Sequence, residues 1–250
     1  MTSIKLALCQ MNVIDNKDEN LKTASSMIAR SVDENADFIV LPEMFNCPYS
    51  NDKFIEYQES EKDSPTLDLI SELACKNNVY ILAGSIPEKE DKKLFNTSYL
   101  FNRKGKIIAK HRKMHLFDID VKDMITFKES DVLTAGDEFT IADTEFGKIG
   151  IGICYDVRFP ELARIMVENG ALALFYPGAF NMTTGPAHWE LLFRSRALDN
   201  QVFCIGVAPA LNEDAGYHSY GHSIIANPWG EVIAQAGQKE ELIISEINLD

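Results

Sequence analysis

The sequence predicts an α/β fold, a layered domain built on a mixed sheet system. Short apolar runs rich in Val, Ile, Leu and Phe recur along the chain, each bounded by turn residues. In the first half they alternate with stretches of helical period, the pattern of parallel strands joined by helices. Later runs pair through tight connections, the pattern of antiparallel hairpins. No Pro/Ser/Gly-rich linker, low-complexity tract or short repeat interrupts the 250 residues, so one domain over 1–250 is expected.

Ile4 to Cys9 reads as a short apolar strand. Asn20 to Asn35 carries Leu21, Ala24, Met27, Ile28 and Val32 on one helical stripe. Phe38 to Leu41 is a buried strand that stops at Pro42-Glu43. Residues 44–63 alternate polar and aromatic groups, a loop with short helical pieces. Pro65 opens a helix running to Asn77, with Leu67, Ile70, Leu73 and Ala74 on one face. Val79 to Gly84 is a third strand. Thr97 to Phe101 and Lys106 to Ala109 form a hairpin across Asn102-Arg103-Lys104-Gly105.

Lys110 to Glu138 mixes charge, His and Phe with little period, which suits a functional loop. Phe139 to Ala142 and Lys148 to Ile153 read as another hairpin, turning near Gly147. From Pro160 the pattern is helical, with Leu162, Ile165 and Met166 in phase. Leu172 to Tyr176 is a buried strand ended by Pro177-Gly178, and His188 to Asn200 is a helix. Trp189, Leu192 and Phe193 on that helix read as core. Val202 to Ala208, Ser223 to Asn227, Val232 to Gln235 and Leu242 to Ile247 are strands, with a turn at Asn227-Pro228-Trp229-Gly230.

A formal net charge of −14 argues against nucleic acid, which needs a basic face, and against an anionic membrane surface. Five scattered cysteines, an odd number with no C-x-x-C pair, point to a reducing compartment, and a cytoplasmic location is expected. The N-terminus runs straight into a strand pattern, unlike a signal peptide, and no apolar run approaches the ~20 residues of a membrane span. Asn96-Thr97-Ser98 and Asn181-Met182-Thr183 match the glycosylation sequon by chance in such a compartment.

Three strand ends or loops carry chemically useful groups: Glu43 after a buried strand, Lys113 in the irregular middle, and Cys154 where a strand turns over. Sites in open α/β sheets gather at the carboxyl ends of strands. A Glu that takes a thiol proton, a Cys that attacks and a Lys that holds an oxyanion make a complete acyl-transfer set. Taken singly, each has a plainer reading: Cys154 as a small core residue, Glu43 as a helix cap, Lys113 as a surface charge. Gly150-Ile151-Gly152 lacks the third glycine of a dinucleotide loop, and no Gly-x-Ser-x-Gly elbow occurs. His111 and His115, like His218 and His222, are spaced i, i+4 without the Glu of a zinc protease. No cofactor and no metal is expected.

Leu41-Pro42-Glu43, His111-Arg112-Lys113 and Gly152-Ile153-Cys154-Tyr155-Asp156-Val157-Arg158-Phe159-Pro160-Glu161 together resemble the signature segments of the carbon–nitrogen hydrolases, the nitrilase superfamily. The resemblance runs over essentially the whole chain. It implies a four-layer α-β-β-α sandwich and a Glu-Lys-Cys triad. By motif, Glu43 is the general base, Lys113 the oxyanion stabiliser and Cys154 the nucleophile. Glu129 falls on the family's second carboxylate, and the Tyr155 N–H on the other oxyanion donor.

The segments Lys113 to Asp120 and Tyr176 to Glu190 resemble the omega-amidase branch. That branch hydrolyses the terminal amide of 2-oxoglutaramate and 2-oxosuccinamate through a cysteine thioester. A small-molecule amide is therefore the expected partner. Tyr49, Phe45, Arg158, Asn181 and Thr184 are the candidate substrate contacts, with Arg194 and Arg196 as further cations for a substrate carboxylate. The same triad also serves deaminated glutathione amidases, N-carbamoyl amidohydrolases and nitrile-hydrolysing relatives. A non-catalytic binding or scaffold protein on this fold is the alternative of another class. Relatives usually continue past the last strand into a helix and a basic tail that often lies across a dimer partner. This sequence ends at Ile247-Asn248-Leu249-Asp250, without that tail. A homodimer or higher homo-oligomer is expected.

Overall fold

The structure, a computed structural model, describes residues 3–122 and 125–249. Met1, Thr2, Asp123, Met124 and Asp250 lie outside the described residues. The chain opens with β1 (Ser3–Gln10), α1 (Lys17–Asp33), β2 (Phe38–Val40), the short α2 (Asn51–Glu56), α3 (Pro65–Asn77) and β3 (Tyr80–Leu82). Asn16 accepts from the Glu19 N–H and so starts α1 ahead of its first apolar residue. Ser64 accepts from the Leu67 N–H and Pro65 takes the first turn of α3, as the sequence implied.

Next come β4 (Ile86–Glu90), β5 (Lys93–Phe101), β6 (Ile107–Arg112), β7 (Asp118–Val121) and β8 (Ile125–Lys128). The second half holds β9 (Thr140–Thr144), β10 (Gly147–Ile151), α4 (Pro160–Glu168), β11 (Ala173–Pro177), α5 (Gly185–Asn200) and β12 (Phe203–Val207). It closes with β13 (Ile224–Ala226), β14 (Val232–Gln235) and β15 (Glu241–Asn248).

The strands make two large sheets. One is seven-stranded, in the order β15-β1-β2-β3-β5-β4, with β6 on the free side of β5. The other is six-stranded, in the order β14-β13-β12-β11-β10-β9. The period-two alternation of strand side chains decides how they stack. Leu6, Leu8, Phe38 and Val40 of the first sheet meet Ile149, Ile151, Phe175 and Ile205 of the second. Phe38 and Phe175 stack there with centroids 5.0 Å apart.

The intervening residues Ala7, Cys9, Ile39 and Leu41 point the other way, onto Leu21, Met27 and Ile28 of α1 and Leu67 and Ile70 of α3. Leu174, Tyr176 and Cys204 likewise face Met166 of α4 and Trp189 and Phe193 of α5. The result is the expected four-layer α-β-β-α sandwich, with strands apolar on both faces because both faces are covered.

Two stretches depart from the sequence reading. β4, Ile-Pro-Glu-Lys-Glu, is charged and contains Pro87, yet it pairs with β5 at the end of the first sheet's strand order. Proline is tolerated at such an edge. The stretch expected to be irregular contains β7 and β8 as a separate hairpin. No helix among the described residues is long and apolar enough to cross a membrane.

Candidate active site

Four strand ends converge. Glu43 follows β2, Lys113 follows β6, Glu129 follows β8 and Cys154 follows β10. Past the end of β2, the Leu41 N–H donates to the Leu82 carbonyl at 3.0 Å and the Met44 N–H to Ser85 Oγ at 3.0 Å. Gly84 lies flat against this turn with φ +38°, and a Cβ there would overlap the Pro42 carbonyl. Only glycine permits that approach. The Glu43 carboxylate is thereby fixed and fully buried. Oε1 accepts from Asn96 Nδ2 at 2.8 Å and Lys113 Nζ at 3.0 Å, and Oε2 from the Ala179 N–H at 2.7 Å.

Lys113 is held through its backbone: its N–H donates to the Asn96 carbonyl at 2.9 Å, and its carbonyl accepts from the Gly136 N–H at 2.8 Å. Its buried ammonium bridges Glu43 at 3.0 Å and Glu129 at 2.9 Å. Glu129 also accepts from the Phe117 N–H at 2.6 Å and the Tyr49 hydroxyl at 2.5 Å.

Cys154 opens a short 3-10 turn, Cys154–Arg158, with φ +48°. A non-glycine residue there carries roughly 1–3 kcal/mol of strain, which the surroundings must impose. Gly152 is needed beneath the turn, because a Cβ would run into the Tyr176 ring. In a first turn the N–H groups of Cys154 and Tyr155 have no helical partner, so both are available as donors.

Asp156, fully buried, fastens the turn. Its Oδ2 accepts from the Ile153 N–H and His111 Nε2, both at 2.9 Å. Its Oδ1 accepts from the His115 N–H at 2.9 Å and His115 Nδ1 at 2.8 Å. His111 and His115 bracket Lys113, so one carboxylate joins the turn of Cys154 to the strand that ends at Lys113. The two histidines, weighed in the sequence as a metal pair and set aside, serve this carboxylate.

Burial opposes the charge on Asp156, but the two histidines hold its carboxyl well below the usual carboxylate range. A depressed native pKa stabilises above the unfolded value of about 3.9 and is lost as pH falls through the native one. Asp156→Ala is therefore expected to cost about 3–5 kcal/mol at pH 7. Denaturant melts should show that deficit shrinking below about pH 4. A deficit constant with pH would contradict the assignment.

The carbon-nitrogen hydrolase family profile matches residues 5–250. The chain belongs to that family. It is 49% identical over 249 residues to human Omega-amidase NIT2, covering 100% of this chain and 90% of that one. It is 48% identical to the bovine Omega-amidase NIT2 with the same coverage. The crystal structure of Saccharomyces cerevisiae Nit3, a member of branch 10 of the nitrilase superfamily, superposes with a TM-score of 0.90 at 45% identity, covering 98% of this chain and 89% of that one.

In this carbon–nitrogen hydrolase, burial pushes the Cys154 thiol well above its ordinary value. Glu43 and Glu129 push the same way, and Lys113 offsets them only in part. The resting thiol is therefore neutral. Attack on a substrate must therefore be accompanied by proton removal. Lys113 remains an ammonium, because Glu129 and Glu43 outweigh its burial. Burial raises the Glu129 carboxyl, against the pull of Lys113.

Around the sulfur is a tight cleft of about 10 Å³, whose lining includes Phe117, Tyr155, Arg158, Phe180, Thr184 and Tyr217. A larger chamber of about 650 Å³ includes Glu43, Met44 and Tyr49 in its lining. The expected contacts divide accordingly. Arg158 and Thr184 line the cleft, and Tyr49 lines the chamber. Phe45 lines neither: it is wholly buried in the core between the first sheet and α1/α3, and its neighbour Met44 takes the wall position.

Asn181 is not in the lining of either space, and its Nδ2 is buried without a partner. Its side-chain oxygen is taken by the Thr183 and Thr184 N–H groups at 3.0 and 2.9 Å, so it shapes the loop that presents Thr184. Arg196 donates to the Val157 carbonyl at 2.8 Å and braces the turn that Cys154 opens, while Arg194 is an exposed partner of Glu190. Asn96, Asp156 and Tyr217 were not foreseen as site residues. Asn96 had a visible signal only as a chance sequon.

Proposed function

We propose that the protein is an amidase that hydrolyses the terminal amide of small 2-oxo dicarboxylic monoamides, such as 2-oxoglutaramate and 2-oxosuccinamate. The sulfur of Cys154 attacks the amide carbon while Glu43 takes the thiol proton. The oxyanion rests between Lys113 and the Tyr155 N–H, with Glu129 keeping Lys113 charged and aimed. Glu43 passes its proton to the departing nitrogen, and ammonia leaves a thioester on Cys154. Water, deprotonated by Glu43, adds to the thioester carbon. The C–S bond then breaks, the acid is released, and the proton returns to sulfur.

The observation that carries the substrate class is Arg158. It lies in the same cleft as the sulfur, over the Phe180 ring at 5.0 Å, and its Nη2 meets His188 Nδ1 at 3.1 Å. Its Nε is buried and unpartnered, and among the described residues it has no carboxylate partner. A half-buried guanidinium without an anion suits a substrate carboxylate. The relatives named omega-amidases support the same reading.

Ammonia release across a panel tests it: 2-oxoglutaramate and 2-oxosuccinamate against deaminated glutathione, N-carbamoyl amino acids and neutral aliphatic amides. The oxo acid monoamides should give the highest kcat/KM. Arg158→Met should lower kcat/KM for them by about 10²-fold, the worth of a lost charged contact, and leave neutral amides within about threefold. Equal losses on both substrate types would contradict the role. Five unpaired cysteines support a cytoplasmic location. The exposed Leu191 and Leu198 of α5, with Trp229, support self-association, which sedimentation would read.

A further inference from the structure

We propose that the chamber beside Glu43 is the path by which water reaches the thioester and ammonia leaves, separate from the Arg158 cleft that holds the acid. Tyr217 is the wall between them. This rests on the amidase reading above and adds to it a division of traffic.

Tyr217 lines both spaces. Its hydroxyl donates to the Ala179 carbonyl at 2.5 Å, and the Ala179 N–H donates to Glu43 Oε2 at 2.7 Å. Wall and base are thus tied to one residue. The Tyr217 ring packs on Tyr49 with centroids 4.6 Å apart, and Tyr49 in turn donates to Glu129. Cys154 lies on the cleft side of this wall, and Glu43 contributes to the chamber side.

The volumes separate the two roles. The cleft, at about 10 Å³, has room for about one water, so an acyl group on sulfur displaces that water and leaves no space there for a second reactant. A second reactant must then arrive from elsewhere, within hydrogen-bond reach of the base. The chamber, at about 650 Å³, is the space that borders that base.

Charge sorts the products in the same sense. Arg158 faces the acid. The chamber carries Asp15, Asp214 and Glu43 against Lys53, which is already paired with Asp15 at 2.8 Å and Glu56 at 2.7 Å. Ammonia that picks up a proton after leaving Glu43 meets a negative wall there, and the carboxylate product meets a positive one in the cleft. No electron transfer or further reactant enters these steps.

Gly216 offers the test. It lines the chamber, and a Cβ there would meet nothing within 4 Å. Gly216→Trp should obstruct the chamber without straining the chain, and Gly216→Ala is the control. In rapid acid-quench experiments on the full chain with 2-oxoglutaramate, Gly216→Trp should slow thioester breakdown about tenfold or more. The first ammonia formed per site, counted after the quench whether free or still bound, should appear within about twofold of the parent rate, so acyl-Cys154 accumulates.

With hydroxylamine added, the ratio of hydroxamate to acid should fall at least fivefold in Gly216→Trp and rise in Tyr217→Ala. Thermal melts within a few degrees of the parent confirm folding. Equal slowing of thioester formation would show that the whole substrate uses the chamber and overturn the proposal. Unchanged breakdown and an unchanged hydroxamate ratio would overturn it also. Absence of any acyl-Cys154 in the parent protein would sink the amidase reading and this inference with it.

Discussion

Cys154→Ala is expected to lower amide turnover by about 10⁴–10⁶-fold, the scale of losing a covalent nucleophile, and to leave the fold standing. No second cysteine is placed to inherit its role. Cys75 is exposed on α3, and of the four buried cysteines Cys154 is the one that interacts with Glu43 and Lys113, although Cys204 shares its core cluster and Cys47 lines the chamber. Replacing one sulfur by hydrogen leaves a small void beside Gly178, worth about 1 kcal/mol. Circular dichroism melts should therefore shift by only about 2–4 °C. Turnover within about tenfold of the parent would remove Cys154 from the mechanism.

Lys113→Met acts on both rate and stability. Loss of an oxyanion donor costs about 10²–10³ in kcat elsewhere, and the same is expected here. The variant also leaves Glu43 and Glu129 buried without the ammonium that bridges them at 3.0 and 2.9 Å. Removing one partner of a buried pair costs about 3–5 kcal/mol. Two carboxylates without a cation resist ionisation together, so a raised native pKa follows. A raised carboxyl pKa stabilises below the unfolded value of about 4.3 and loses that stabilisation as pH rises through the native one. The stability deficit of Lys113→Met should therefore be largest near pH 8 and shrink towards pH 5. A deficit that grows on acidification would contradict the charge assignment.

The sandwich was legible because its central strands are apolar on both faces, a pattern that survives in one dimension. Glu43 and Cys154 were legible because each interrupts such a run abruptly. Lys113 was not, on its own: it sits in a stretch without period, and only its company with the other two segments marked it. β4 was lost because Pro87 and its charges obey the rules of an edge, where one side needs no ladder. Phe45 was misassigned because closeness in sequence to Glu43 says nothing about which face it takes; at that turn Met44, with φ +51°, points one way and Phe45 the other, into the helical layer. Asp156 was hidden in plain view, two residues after Cys154, because its partners His111 and His115 lie 45 and 41 residues away.

The most direct measurement is mass spectrometry after an acid quench of the protein turning over 2-oxoglutaramate. The account predicts an added acyl mass confined to the peptide that contains Cys154, absent from Cys154→Ala and accumulating when breakdown is slowed. An adduct on another cysteine, or none at any time during turnover, would contradict it.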